Sequence, residues 1–249
     1  MAKISGVAGQ CLAVHGYNLS GDAGAIDTCS GGHSVSDTTG IDKSAVERLA
    51  LLRDGNLSYS AWWDTAALSM YAAISTLPTT DRIVSWGLGV ARGDRAACMT
   101  AKQVDFAVSR GADGGLGAKI NCVANAFGLD WGYQLSTGVQ TITSAANGTG
   151  VDLVDVSSDF GAIAYLHVMS VTGTSVTFHI EDSADNIDFE DIEGVAFAAV
   201  TAAAAPTAQR VVSTLTTTNV RRYVRLVSAG TFTAATFHLA FIRPLAALS

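Results

Sequence analysis

The chain has 249 residues, of which 49% are apolar and only 15% are charged, and its mean hydropathy is +0.31. That balance excludes a disordered chain, and the longest uncharged apolar run, VAFAAVTAAAA at 195–205, is too short and alanine-rich to cross a bilayer. Net charge is −7 with no Lys/Arg cluster, which excludes binding to a nucleic-acid backbone but not an acidic wall that repels one.

Residues 1–40 are rich in Gly, Ser, Asp and Thr around short apolar pieces, and predict short strands joined by turns in a pliable arm. The Met-Ala-Lys start has no signal-peptide core, which predicts no secretion route. Ser44 and Glu47 match a capping box and predict a short helix to about residue 52. Arg53-Asp54-Gly55 then predicts a turn. Across 56–63, Leu57, Tyr59, Ala61 and Trp63 alternate with Asn56, Ser58, Ser60 and Trp62, a strand with one wet face. Asp64 predicts the cap of a second helix over 65–75, apolar nearly all round and therefore buried. Pro78 and Asp81 end it, and 82–90 reads as a strand.

The stretch 97–127 is the strongest element. Two long runs flank GADGGLG, which predicts an antiparallel hairpin. Val104, Phe106 and Val108 alternate with Gln103, Asp105 and Ser109; Leu116, Ala118, Ile120 and Cys122 alternate with Gly117, Lys119 and Asn121. One face suits a core and the other water. A hairpin this long belongs in a barrel or an assembly. So much apolar residue in one chain predicts surface buried against copies or partners.

The stretch 134–150 has no periodicity and reads as a linker, with a boundary near residue 146. There are ten Lys/Arg and twelve Asp/Glu before it, and five and ten after it; all four Cys and all four Trp lie before it. The second part predicts six strands, 162–171, 176–182, 195–200, 210–215, 220–227 and 231–242, spaced as in a sandwich or jelly roll. The overall fold class is mainly β with two short helices.

No constellation for catalysis is legible. The five histidines are scattered without metal-ligand spacing and read as surface or strand-face residues. Ser34 in GGHSVS lacks the closing Gly of a nucleophile elbow, and the Gly-rich pieces lack a strand–turn–helix frame. The chain is therefore expected not to be an enzyme and to carry no cofactor or metal. Cys11, Cys29, Cys98 and Cys122 read as buried thiols, with Cys98 and Cys122 able to face each other across the hairpin. The acidic turn from Glu181 to Glu193 does not match an EF-hand, and pairing with Arg221, Arg222 and Arg225 is preferred to a bound cation.

GYNLSGDAGAID, DTTGIDKSAVERLALLRDGNLSYSAWWD and AACMTAKQVDF with its partner strand, in that order, resemble the major tail tube protein of long-tailed bacteriophages. The resemblance covers roughly the first 135 residues; the second part is similar to β-sandwich modules appended to some tail tube proteins. It implies a tail tube domain at 1–145 with an arm at about 1–40, and an accessory β-sandwich at 146–249 on the tube exterior. It implies a virion protein, assembled in the host cytoplasm, whose subunits form stacked hexameric rings around a DNA conduit. Expected partners are further copies and the tape measure, terminator and distal tail proteins, with DNA passing unbound. Candidate lumen residues are Ser58, Ser60, Gln103, Asp105, Ser109, Lys119, Asn121 and Asn125, with Lys119 expected to pair with Asp105. The alternative is a host-surface glycan-binding module on a multimerising β platform.

Overall fold

A computed structural model describes residues 9–75 and 80–246. Its strands in chain order are β1 (Cys11–Val14), β2 (Tyr17–Asn18), β3 (Ala23–Asp37), β4 (Arg48–Trp62), β5 (Arg82–Gly87), β6 (Arg95–Arg110), β7 (Leu116–Ala124), β8 (Asp130–Gln134), β9 (Gln140–Ile142), β10 (Ala146–Asn147), β11 (Val151–Ser158), β12 (Ile163–Ser183), β13 (Glu190–Ala196), β14 (Val200–Thr201), β15 (Thr207–Val212) and β16 (Val220–Ile242). One helix, α1 (Met70–Ile74), is described among them. The fold is therefore mainly β, as the sequence predicts. Neighbouring strands run β13-β12-β16-β8-β6-β5-β1-β2, and at β6 the sheet branches through β7 and β4 to β3.

The first third departs from expectation. β1 and β2 are short paired strands joined by a turn, as expected, but β3 is one 15-residue strand paired along its length with β4. No helix forms at 44–52. A helix there would leave the backbone of Val35, Ser36 and Asp37 without Ala50, Leu49 and Arg48 as partners. The capping-box residue Glu47 closes the connecting loop instead: its N–H donates to Thr39 Oγ1 at 2.9 Å, and its carbonyl accepts from Thr38 N–H at 3.0 Å. Arg53-Asp54-Gly55 is no turn but the middle of β4, with Gly55 opposite Gly31. A Cβ at Gly31 would lie 2.6 Å from Leu129 Cβ, and one at Gly55 2.7 Å from the same atom. The glycines are there because a buried leucine crosses this point of the sheet.

The second helix is shortened to α1. The Asp64 carboxylate accepts from Ala66 N–H at 2.8 Å and makes a turn, while the Met70 N–H at the helix start donates to Asp22 Oδ2 at 2.8 Å. Pro78, expected to end that helix, lies outside the described residues. The strand expected at 82–90 stops at Gly87. The long hairpin forms as β6 and β7, closed by 111–115.

In the second part, four expected strands merge into two. β12 and β16 pair over nearly their whole lengths, and bulges near Val168–Ser170 and Thr172–Ser175 bend them without breaking them. Gly173, at φ +129°, sits at one of these bends. The stretch expected as a linker holds β9 and β10, both paired to β16.

Three clusters fill the interior. One gathers residues between 12 and 129 under α1, including Leu57, Tyr59, Met70, Met99 and Ile120. A second gathers residues between 135 and 241, with Phe178 and Phe237 rings 4.6 Å apart. The third joins them: Ile83, Ala96 and Cys98 meet Ile163, Tyr165, Ala240 and Ile242. A polar chain crosses the same junction. Arg53 and Tyr165 each donate to the buried Asp130 carboxylate at 2.8 Å, and Arg210 donates to the Tyr165 hydroxyl at 3.1 Å.

Candidate functional site

Strands β3, β4, β7 and β6 form a four-stranded unit with two unlike faces. Leu57, Tyr59 and Ala61 of β4 and Ala118, Ile120 and Cys122 of β7 point into the core. The alternate residues make the other face, because side chains in a strand alternate. Register places Ser58 beside Asn121, Ser60 beside Lys119, Asp105 beside Asn121 and Ser109 beside Gly117. Six of the eight residues singled out from sequence therefore share one face: Ser58, Ser60, Asp105, Ser109, Lys119 and Asn121. Short bonds knit it together. Asn56 Nδ2 donates to Asn121 Oδ1 at 2.6 Å, and Ser60 Oγ to Asp27 Oδ2 at 2.8 Å. A concavity of about 400 Å³ opens beside Ser60, Trp62, Ser109 and Lys119.

The other two residues are placed elsewhere. Gln103 is buried on the opposite face, donating to the Ile74 carbonyl at 3.3 Å. A bulge between Gln103 and Asp105 shifts the register, so that Val104 is exposed and Phe106 returns to the core face beside Ile120. Asn125 lies past the end of β7 and donates to Asp81 Oδ1 at 2.9 Å. Lys119 pairs with Asp27 at 3.7 Å rather than with Asp105, because Asp27 of β3 lies on the Ser60 side of the same face.

The unit ends in unpartnered strand. Among the described residues β3 pairs only with β4, and β6 beyond Gln103 pairs only with β7, so each presents an open edge. β7 covers β4 only from Asn56 onward. The two-stranded ribbon beyond that point and its closing loop carry Val35, Ile41, Val46, Leu49, Leu51 and Leu52, all exposed, Leu52 at 86%. Sequence reasoning missed this ribbon by assigning half of it to a helix. No period-two signal was available, because RLALLR at 48–53 puts one arginine and two apolar residues on each face.

The groups that resemble catalytic parts are enclosed. His167 and His238 are register partners on β12 and β16, both fully buried, with ring centroids 6.0 Å apart. They lie on strand faces, one of the two placements expected, but those faces are buried in the core rather than at the surface. His167 Nδ1 accepts from Gly16 N–H at 3.2 Å, so its proton sits on Nε2, 2.9 Å from Ser85 Oγ. His238 Nδ1 donates to the Gly138 carbonyl at 3.0 Å, leaving Nε2 without a partner. Burial holds His238 down at about 4 and His167 well below the usual imidazole range. Both are neutral packing groups. The four cysteines are free thiols; burial pushes Cys98 and Cys122 up to about 12 and Cys11 and Cys29 to about 11. Cys98 lies opposite Ser85 and Asp130 while Cys122 lies opposite Gln103, so they do not face each other.

The arginines after β15 pair largely as expected. Arg221 bonds Asp182 (Nε to Oδ1, 2.6 Å) and Arg225 bonds Glu181 (Nε to Oε2, 2.6 Å), but Arg222 turns to Asp152 at 2.7 Å.

No protein-family model and no curated protein sequence matches the chain. Solved structures give loose superpositions. The SPP1 Dit (gp 19.1) protein, described as a hub adsorption apparatus of phages infecting Gram-positive hosts, covers 94% of this chain and 99% of its own at 10% identity and TM-score 0.32. A chain of the phage p2 baseplate in its activated conformation covers 94% and 98% at 7% identity and TM-score 0.32. A chain from the tail of an empty GTA particle with C6 symmetry covers 44% and 81% at 11% identity and TM-score 0.32. Superpositions this loose assign neither a detailed fold nor an activity, so the functional reading rests on the chain's own surfaces.

Proposed function

We propose that this chain is a structural protein of a phage tail, a tail tube subunit whose copies form stacked hexameric rings around a DNA conduit. The observation that carries the reading is that open strand edges and an exposed apolar ribbon occur on the same four-stranded unit. Open edges template pairing with another chain, and natural proteins close or cover them. In a ring, the β3 edge of one copy meets the β6 edge of the next, and the barrel closes between subunits. The ribbon reaches onto a neighbour, where burying each large side chain contributes about 1.5–3 kcal/mol. Ser58, Ser60, Asp105, Ser109, Lys119 and Asn121 then face the lumen. With Asp27, Asp105 and Lys119 that wall is weakly negative and rich in small polar groups, so DNA slides along it without sticking. The tape measure, terminator and distal tail proteins are its further partners, assembly takes place in the host cytoplasm, and the protein acts in the virion. Residues 146–249 form an accessory module on the exterior, and no catalytic role is assigned.

Electron microscopy of purified protein at high concentration tests this. Hollow rings or tubes are expected, and the Leu49→Glu/Leu52→Glu variant is expected to stay monomeric with unchanged melting. A wild-type chain that remains monomeric even with tail-initiation proteins present overturns the reading, as does a double variant that assembles like wild type.

A further inference from the structure

The acidic turn between β12 and β13 is not one site. Asp182 is held by Arg221, whose guanidinium also meets Glu190 at 3.1 Å, and Asp185 accepts from the N–H groups of Ile187 and Asp188. Those carboxylates are satisfied locally.

A separate group stands beside them. His179 and Glu181, two apart on β12, share a face, and Asp191 on β13 is the register partner of Glu181. One ligand atom from each lies within 4.8 Å of the other two. His179 Nε2 is 3.3 Å from Asp191 Oδ1 and 3.7 Å from Glu181 Oε1. Ligands bonded at about 2.1 Å around a tetrahedral zinc ion sit about 3.4 Å from one another. Two of the three separations already match that spacing.

The surroundings orient these ligands. Arg225, opposite Glu181 on β16, lies over the Phe189 ring at 4.1 Å and donates to Glu181 Oε2 at 2.6 Å. That bond fixes the carboxylate and leaves Oε1 on the His179 side, as outer partners fix metal-bound carboxylates elsewhere. Glu181 and His179 are partly buried, whereas the Asp191 side chain is 74% exposed and leaves one side open to a water ligand.

We propose that His179, Glu181 and Asp191 bind a divalent transition-metal ion, with zinc the best fit. One imidazole and two carboxylates suit zinc; calcium takes six to eight oxygens, and the imidazole supplies none. The Arg225 charge offsets one carboxylate, so the site binds more weakly than a structural zinc centre. The ion ties β13 to β12 at the point where their register shifts between His179 and Glu181. This inference stands independently of the tail reading.

The full chain, stripped with chelator, is titrated with zinc chloride at pH 7.5 by calorimetry, and its melting is followed with and without the ion. One saturable site is expected, with melting raised because the ion binds only the folded chain. His179→Ala and Asp191→Asn should each weaken binding about tenfold or more, while melting in chelator stays that of wild type. Calcium chloride at the same concentrations should give no saturable heat. Absence of saturable zinc binding overturns the proposal. So does retention of wild-type affinity in both variants, which would place the ion elsewhere, and so does calcium binding as tight as zinc.

Discussion

Acid should open the junction between the two cores, and His238 sets the size of the effect. Its imidazole is fully buried, donates only to the Gly138 carbonyl, and faces the neutral His167 ring at 6.0 Å, with Ser136 as the other polar neighbour. Burial lowers its folded value from 6.5 to about 4. The unfolded chain therefore takes up a proton near pH 6.5 while the folded chain refuses it until about pH 4. Stability from this group is complete above pH 6.5 and is lost as pH falls through that window. At about 1.4 kcal/mol per pH unit the loss is about 3 kcal/mol by pH 4. His167 is shifted in the same direction and adds to it. The clean comparison is His238→Asn, whose amide nitrogen can still donate to Gly138 but does not titrate. Urea unfolding at pH 7, 6, 5 and 4.5 should show the wild type losing stability more steeply than the variant, by about 1.4 kcal/mol per unit. Parallel slopes would refute a buried neutral His238.

Three further outcomes follow from the geometry. Gly55→Ala places a methyl 2.7 Å from Leu129 Cβ and should lower stability by about 1–3 kcal/mol in thermal melts, with Leu129→Ala in the same chain restoring much of the loss. Arg53→Ala removes the cation from the buried Asp130 and leaves that carboxylate with Tyr165 alone; a loss of about 3–5 kcal/mol is expected in urea unfolding, and Asp130→Asn in the same background should recover part of it. Asn121→Arg adds positive charge to the polar face and should slow DNA ejection in single-particle assays while melting is little changed; unaltered ejection would remove this face from the lumen.

The sequence made the two faces of β4 and β7 legible because their alternation is unbroken from Asn56 to Trp62 and from Leu116 to Ala124. β6 was legible only from Asp105 onward, where Asp105, Phe106 and Ser109 take the expected faces; Gln103 and Val104 do not. A bulge exchanges the faces at that point, and nothing in VDFAV announces it, since Val104 is as apolar as the residues that stay inside. The ribbon was illegible for a different reason. Ser44 and Glu47 satisfy the local rule for a helix start, but backbone pairing with β3 supersedes a cap worth about a kcal/mol. Likewise Gly55 carries a turn signal whose true cause, Leu129, lies 74 residues away and has no local trace.

Much of the chain's apolar excess is hidden inside the subunit itself. An apolar, weakly charged chain of this size implies surface hidden on partners, yet β12 and β16 absorb much of the excess within one subunit. Val168, Phe237, Leu239 and Phe241 point into one cluster, while Ile163, Tyr165, Ala240 and Ile242 point into the cluster on the other side, so these strands are buried on both faces. Strands covered on both faces need no partner chain to explain their hydropathy. Exposed large apolar side chains remain in several places, but they are concentrated between residues 35 and 52, where six of them share the ribbon and its closing loop on a unit with two open edges. Under the tail reading, association depends on that segment more than on the average of the chain. Replacing apolar residues there should abolish association, and equal replacements at Val212 or Leu215, which are also exposed but lie off the four-stranded unit, should leave it intact. If both sets abolish association equally, general hydrophobicity rather than the ribbon drives it.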